Sequence, residues 1–398
     1  MSGEVIIVGG GLVGALAAAL LGARGTSVTL IDRAAPARQR GRLGLDIRNV
    51  AISPASQQLL AQAGVWASLQ PAPYRHMHVW EERGTEALAF AAEDLGRVQL
   101  GWICEHSEIV CALWDRLQEL PNVECCAGEL PQELMVESGQ VRLRLGDGVR
   151  NASLLIGADG HQSWVRQSMR VPLRETPTGH HALATMVRVA GGHRDTAWQR
   201  FLLAGPLALL PSAEPDLASV VWSQPASLAA SRKSASDADF CSELESLLEG
   251  HLGAVTAVDD RFVFPISQML LKNFNPQPRV LLLGDAAHAI HPLAGLGANL
   301  GFEDVRDLVN RVDRLGAVAD LGADGLWTSY ARQRRARAKL LLTLMAGLQK
   351  AYAASDPLRG WLRNAGVGLI DHSSLLKTQL VREAMGLGPL AKGLGVSS

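Results

Sequence analysis

The sequence predicts an α/β fold in which a parallel sheet is interrupted by an antiparallel layer and closed by helices. Two segments carry the first part of this reading. Residues 5–21, VIIVGGGLVGALAAALL, and residues 279–305, RVLLLGDAAHAIHPLAGLGANLGFEDV, each run from an apolar strand through a glycine-rich turn into a helix. Between them, from about His180 to Pro265, the texture changes to alternating strands with one helix, the pattern of an antiparallel sheet inserted in the first fold.

Taken in order, Val5–Val8 is a β-branched run, Leu12–Arg24 is helical and Ser27–Ile31 returns to strand, which makes a βαβ unit. Helical patterns follow at Pro54–Ala63 and Glu108–Leu120. Val123–Glu129, Leu134–Glu137 and Val141–Leu145 read as strands, the last two joined through Ser138, Gly139 and Gln140. Leu154–Gly157 is a buried strand ending in Ala158, Asp159 and Gly160. In the inserted layer Ala182–Val189, Phe201–Leu210 and Ala218–Trp222 read as strands, and Asp237–Leu252 as a helix. Ser223–Asp239, rich in Ser and Ala, is the nearest thing to a linker. Val280–Leu283 is again a strand, a helix starts near Gly295, and the rest is mainly helical.

With 398 residues, 47% hydrophobic and 19% charged, the chain can bury a large core and form two or so domains. A net charge of -1 offers no basic field for nucleic acid, and no zinc-finger spacing of Cys and His occurs. The reading therefore has no nucleic-acid partner and no metal. Five cysteines without a CxxC pair fit a reducing, cytoplasmic setting. The run 5–21 lacks a basic leader and is broken by glycines, so it reads as core and not as a signal peptide. No other stretch is long and apolar enough to cross a membrane; Phe201–Pro211 is interrupted by Gly205 and Pro206.

Gly9, Gly11 and Gly14 form GxGxxG between strand and helix. The first glycine permits the tight turn, the second lets the backbone approach a pyrophosphate, and the third lets helix pack on strand; Leu12 and Val13 lie between them. Asp32, followed by Arg33, ends the next strand, where an acid accepts hydrogen bonds from an adenosine ribose. The motif alone does not separate NAD from FAD. The second segment does: Asp285 at a strand end suits a ribityl hydroxyl. The amides of Gly297, Ala298 and Asn299, after Gly295 at a helix start, suit negative charge on a reduced flavin ring.

Three fingerprints stand in order: GGGLVG, then GADGHQSWVR at 157–166, then GDAAHAIHPLAGLGANLGFED at 284–304. In them the chain resembles the aromatic-ring flavoprotein monooxygenases of the p-hydroxybenzoate hydroxylase type. Closer still is the likeness to the ubiquinone-biosynthesis hydroxylases, the UbiH, UbiI, UbiF and COQ6 group. It spans LDIRNVAIS, SQQLLAQAGVW, LGWICEHSEIVCALW, TAWQRFLLAGPLALLP and the tail LLKTQLVREAMGL. The resemblance implies a Rossmann-like FAD-binding domain over 1–75, 100–179 and 266–330. It also implies an antiparallel-sheet substrate domain over 76–99 and 180–265 and a helical region over 331–398. Asp159 and Gly160 become candidates at the interface of flavin and nicotinamide donor, supported by Arg166, and Arg48 an FAD contact.

The implied activity consumes NADPH or NADH and O2. A flavin C4a-hydroperoxide then hydroxylates the ring of a prenylated phenol on the way to ubiquinone. His288, His291 and Pro292 are expected beside the flavin, with His291 and Pro292 nearest the chemistry. A histidine there either helps deprotonate the phenol or simply hydrogen-bonds the turn. The chain departs from the family's HPLAGQGLNLG by Leu296 and Ala298. Met186, Trp198, Phe201, Leu203, Trp222 and Phe264 either wall a greasy pocket or form core. Arg332, Arg334, Arg335, Arg337 and Lys339, followed by LLLTLMAGL, either seat on an anionic inner-membrane surface or begin a packed helix. Other ubiquinone-biosynthesis proteins are implied partners. The rival readings are a hydroxylase of a small soluble aromatic acid and a non-catalytic flavin-binding assembly subunit.

Overall fold

The computed structural model describes residues 4–82, 87–173, 175–289, 296–316 and 320–353. Among them a five-stranded parallel sheet runs in the order Val280–Leu282, Leu154–Gly157, Val5–Val8, Val28–Asp32, Val123–Ala127. The chain leaves Val5–Val8 toward one edge and returns later to fill the other. The strand order thus reverses beside Val8, where open α/β sheets bind ligands at their carboxyl ends.

Both faces of this sheet are covered, which is why its strands read as apolar runs and not as alternation. Val5, Ile7 and Leu30 face the helix Leu12–Gly22, which is buried almost throughout and lies against the helices His106–Gln118 and Leu296–Leu315. Its Ala15, Ala17, Ala18 and Ala19 keep it slim enough for that position. Ile6, Val8 and Leu155 point the other way, onto Val141, Leu143 and Leu145 of a three-stranded meander, Pro131–Val136, Val141–Leu145 and Gly148–Ala152.

A nine-stranded, mostly antiparallel sheet forms the inserted layer, and His76–Glu81 and Leu88–Ala91 join its edge. Phe240 and Leu244 of the helix Asp237–Leu247 pack on one face, against Leu183, Leu209, Val220 and Trp222. A third small sheet, Asn49–Ile52, Gly101–Glu105 and Ala72–Tyr74, flanks the cleft described below.

Three expectations are corrected. Phe201–Leu210 is not one strand but parts of two, Thr196–Leu202 and Gly205–Pro211, paired as a hairpin. The apolar run conceals the turn; Gly205, at φ 130°, supplies the backbone conformation. The supposed linker is the end of the strand Leu217–Pro225 followed by the helix Ala226–Ser234, held by buried Ala229. The helix predicted over Asp237–Leu252 ends at Leu247, because Glu249, Gly250 and Gly253 take left-handed backbone conformations.

Candidate functional site

The carboxyl end of the parallel sheet and the open face of the large sheet enclose one cleft of about 1200 Å³. The first glycine turn forms its floor. Gly9 has φ 104°, and a Cβ at Gly14 would fall 1.9 Å from the Gly9 carbonyl oxygen, so only glycines let the helix start directly on the turn. Gly11, Leu12 and Val13 line the cleft, while Gly9 and Gly14 lie beneath it as packing positions. The Gly10 N–H donates to Asp32 Oδ2 at 2.6 Å, and the Ala34 N–H to Asp32 Oδ1 at 3.2 Å. Asp32 and Arg33 both line the cleft.

The far chain segment meets this floor directly. A Cβ added at Gly301 would lie 2.5 Å from Val13 Cγ2, so the two glycine turns interlock. Asp304, fully buried, anchors the second turn: it accepts the Gly284 N–H at 2.9 Å, the Arg334 Nε–H at 2.7 Å, and pairs with His288 Nε2 at 2.6 Å. Burial alone would raise its carboxyl, but the charges and hydrogen bonds of His288 and Arg334 outweigh that and hold it at about 2. His288 therefore braces the turn, the plainer of its two expected roles.

Asp285, beside that anchor, has an exposed side chain that lines the cleft and has no hydrogen-bond partner among the described residues. The protein surrounding it displaces bulk water and raises its carboxyl above the ordinary range. Gly297 and Ala298 line the cleft at the start of the helix Leu296–Leu315. Asn299 sits just behind them, its side chain turned into the scaffold. His291, Pro292 and Gly295 lie outside the described residues.

In the middle fingerprint, Ala158 and Gly160 line the cleft, whereas Asp159 Oδ2 accepts the Val165 N–H at 3.0 Å and is turned toward the helix Trp164–Ser168. Arg166, only 3% exposed, donates to the carbonyls of His161 at 2.6 Å and Ala286 at 3.2 Å. It thus ties this fingerprint to the Asp285 turn.

Arg48 lines the cleft with its guanidinium 3.3 Å from His106 Nε2. Burial and the Arg48 charge push His106 down to about 4, so at neutral pH it is an uncharged acceptor for Arg48. Neither His106 nor Trp114, whose Nε1–H donates to the Gly10 carbonyl at 2.7 Å, carries a local motif that marks it as a site residue, although both lie in the family-like stretch 100–114. Only the periodicity of their helix points at the sheet end. Tyr74 also lines the cleft, its phenol pushed up to about 12 by burial and therefore a neutral donor.

Of the expected apolar wall, Trp198 and Phe264 line the cleft. Met186 and Trp222 are fully buried core, Phe201 is half-buried, and Leu203 is exposed beyond the end of its strand. The basic run on the helix Thr328–Ala353 is largely spent internally. Arg334 pairs with Glu303, Asp304 and Asp307, Arg337 with Glu303, and Arg335 donates to the Leu271 carbonyl. Arg332 and Lys339 remain exposed.

These residues fit a dinucleotide flavin. The backbone is open at Gly11 and Gly297, where an added Cβ would meet nothing within 4 Å, and a carboxylate stands at each of two strand ends. Among the described residues no group of three His, Cys, Asp or Glu is placed to hold a metal ion.

Residues 2–344 match the FAD binding domain family. The 3-demethoxyubiquinol 3-hydroxylase of Escherichia coli K12 is 32% identical, covering 96% of this chain and 98% of its own. The ubiquinone hydroxylase UbiL of Rhodospirillum rubrum is 33% identical, covering 97% and 91% respectively. Among solved structures, p-nitrophenol 4-monooxygenase PnpA of Pseudomonas putida superposes with a TM-score of 0.77 at 19% identity, over 97% of this chain and 98% of its own, a likeness of fold.

Proposed function

Because the chain belongs to the family of FAD-dependent ubiquinone-biosynthesis hydroxylases, we propose that its substrate is a polyprenylphenol intermediate whose aromatic ring it hydroxylates with NAD(P)H and O2. The observation that carries this reading is the single cleft: dinucleotide-binding groups line one part of it and an apolar sheet face lines the other. A prenylated ring needs that combination.

Bound FAD would supply the redox chemistry that links NAD(P)H to O2. The chain's own residues do the rest. Asp32 accepts from the adenosine ribose, and Asp285 from the ribityl chain. The amides of Gly297 and Ala298, at the start of a 20-residue helix, favour negative charge on the flavin ring. Arg48, steadied by neutral His106, supplies a cation at the same cleft. Gly160 contributes to the donor side, with Asp159 fixing its turn. His291 and Pro292 are assigned to the flavin's vicinity from the sequence motif. The large sheet excludes water and orients the ring.

The test is NAD(P)H oxidation by the flavin-loaded protein with and without a prenylated phenol, followed by product analysis. Stimulation with a hydroxylated product is expected. Bound yellow flavin without stimulation would leave a flavin-binding assembly role, and stimulation by a soluble aromatic acid alone would transfer the reading to that substrate.

The substrate's tail resides in a bilayer, so peripheral contact with the inner membrane, near other proteins of the pathway, belongs to the same proposal. No helix among the described residues is long and apolar enough to cross a membrane. Exposed Arg332, Lys339 and Leu344 on the helix Thr328–Ala353 support a surface contact. Flotation of the protein with anionic liposomes tests it.

A further inference from the structure

The cleft face of the large sheet is built from small and apolar side chains. Alternation along Thr196–Leu202 sends Trp198 and Leu202 into the core beneath the sheet and Ala197 and Gln199 toward the cleft. Gln199 stands directly opposite Ala208, and Ala208 opposite Val221, across the antiparallel pairs. Ala197, Ala208, Ala184 and Val221 thus leave a shallow floor on which a planar ring can lie.

Gln199 interrupts that floor with a carboxamide. It is 9% exposed, and its amide has no hydrogen-bond partner among the described residues. Trp198, the other residue with a polar side-chain group that borders the cleft from this sheet, has its indole in the core beneath, where its Nε1–H is taken by the His193 carbonyl. An amide left unpaired once water is displaced is destabilising. Water in the open cleft can satisfy Gln199, but an apolar substrate displaces that water, so the carboxamide must then meet a polar atom of the substrate itself.

We propose that Gln199 is a specificity-determining residue that hydrogen-bonds the phenolic oxygen of the substrate and thereby fixes which ring carbon faces the flavin. This rests on the reading of the substrate as a prenylated phenol. Oε1 accepts the phenol O–H, and Nε2 donates to a second oxygen on the adjacent ring carbon where one is present. A carboxamide exchanges no proton near neutral pH, so Gln199 sets orientation and leaves the acid–base chemistry to other groups.

The test uses the full-length, FAD-loaded protein and a water-soluble phenol carrying one short isoprenoid chain, together with its methyl ether. Binding is read from the perturbation of the flavin absorbance, without turnover. Wild type is expected to bind the phenol roughly tenfold more tightly than the ether, the worth of one well-formed hydrogen bond. Gln199→Leu should reduce that ratio below about twofold and scatter the position of hydroxylation, with FAD content and thermal melting unchanged. Gln199→Met, which keeps the side chain's volume, should do the same and covers a folding failure of the first variant. A tenfold ratio retained in both variants overturns the proposal, and so does a wild type that binds phenol and ether alike. Absence of phenol-stimulated NAD(P)H oxidation in wild type instead defeats the substrate reading beneath it.

Discussion

Asn299 Oδ1 accepts the Ser56 hydroxyl at 2.7 Å and the Ser53 N–H at 3.0 Å, while its Nδ2 donates to the Ala51 carbonyl at 2.8 Å. The side chain of a residue whose backbone amide is expected at the flavin pins the start of its helix to the strand Asn49–Ile52 and the helix Pro54–Gln62. The amides of Gly297 and Ala298 are thereby held at the cleft by the side chain of the next residue.

Replacing Asn299 with Ala removes these bonds and leaves their buried partners unpaired. A loss of about 2–4 kcal/mol is expected, together with weaker flavin retention. Urea unfolding and the ratio of flavin to protein after gel filtration measure the two effects. Unchanged retention in a destabilised variant would show that the helix start does not depend on this anchor.

Asp304 makes the fold acid-sensitive. Its carboxyl titrates at about 2 in the folded chain, below the ordinary 3.8, so its stabilising contribution is complete above about pH 4 and disappears as pH falls toward 2. That contribution is about 2 kcal/mol. Melting temperature measured from pH 5 to 2 should fall steeply in wild type. The fall should be shallower in Asp304→Asn, which starts lower because its Arg334 partner loses a buried counter-charge.

The legible parts of this protein were those where backbone conformation dictates residue type. Gly9 and Gly284 mark turns that few other residues can make, Gly14 a contact too close for a side chain, and the apolar runs of the parallel sheet follow from its two covered faces. The illegible parts depend on long-range pairing. Nothing local to Trp114 or His106 announces Gly10 or Arg48 as a partner, since those contacts exist only after the helix His106–Gln118 has docked. Phe201–Leu210 misread for the opposite reason: its turn, Leu203 and Ala204, is apolar although Leu203 is exposed, and so lacks the polar residues that usually mark a hairpin. The basic run after Tyr330 resembled a surface patch because its counter-charges, Glu303, Asp304 and Asp307, lie a helix away.

Trp114 provides the next measurement. Its indole N–H is the side-chain donor holding the Gly10 carbonyl at the first turn. Trp114→Phe keeps most of the packing and removes that donor, so stability should fall by about 0.5–1.5 kcal/mol. Flavin affinity should weaken severalfold in fluorescence-quenching titrations, because the Gly10 peptide is no longer fixed from its carbonyl side. Equal affinity in the two proteins would mean that the Asp32 contact to the Gly10 N–H suffices to hold the turn.

Asp285 sets flavin binding against the stability of the empty fold. Its side chain is open to the cleft, yet the protein packed around it thins its hydration and raises its carboxyl above the ordinary 3.8, so the folded chain holds the proton more tightly than the unfolded chain does. The resulting stabilisation is present in acid and is lost as pH rises through the folded value, which leaves an ionised Asp285 unfavourable at pH 7. Asp285→Asn should therefore melt at a higher temperature than wild type when both are stripped of flavin at pH 7, with the gap closing toward pH 4. In the same variant flavin should bind more weakly, since a neutral amide is a poorer acceptor for a ribityl hydroxyl than a carboxylate. Asp285→Ala, lacking any acceptor, should be isolated folded but flavin-poor. Full flavin occupancy in Asp285→Ala would remove the residue from the binding site, and a lower melting temperature for flavin-free Asp285→Asn would contradict the cost assigned to its charge.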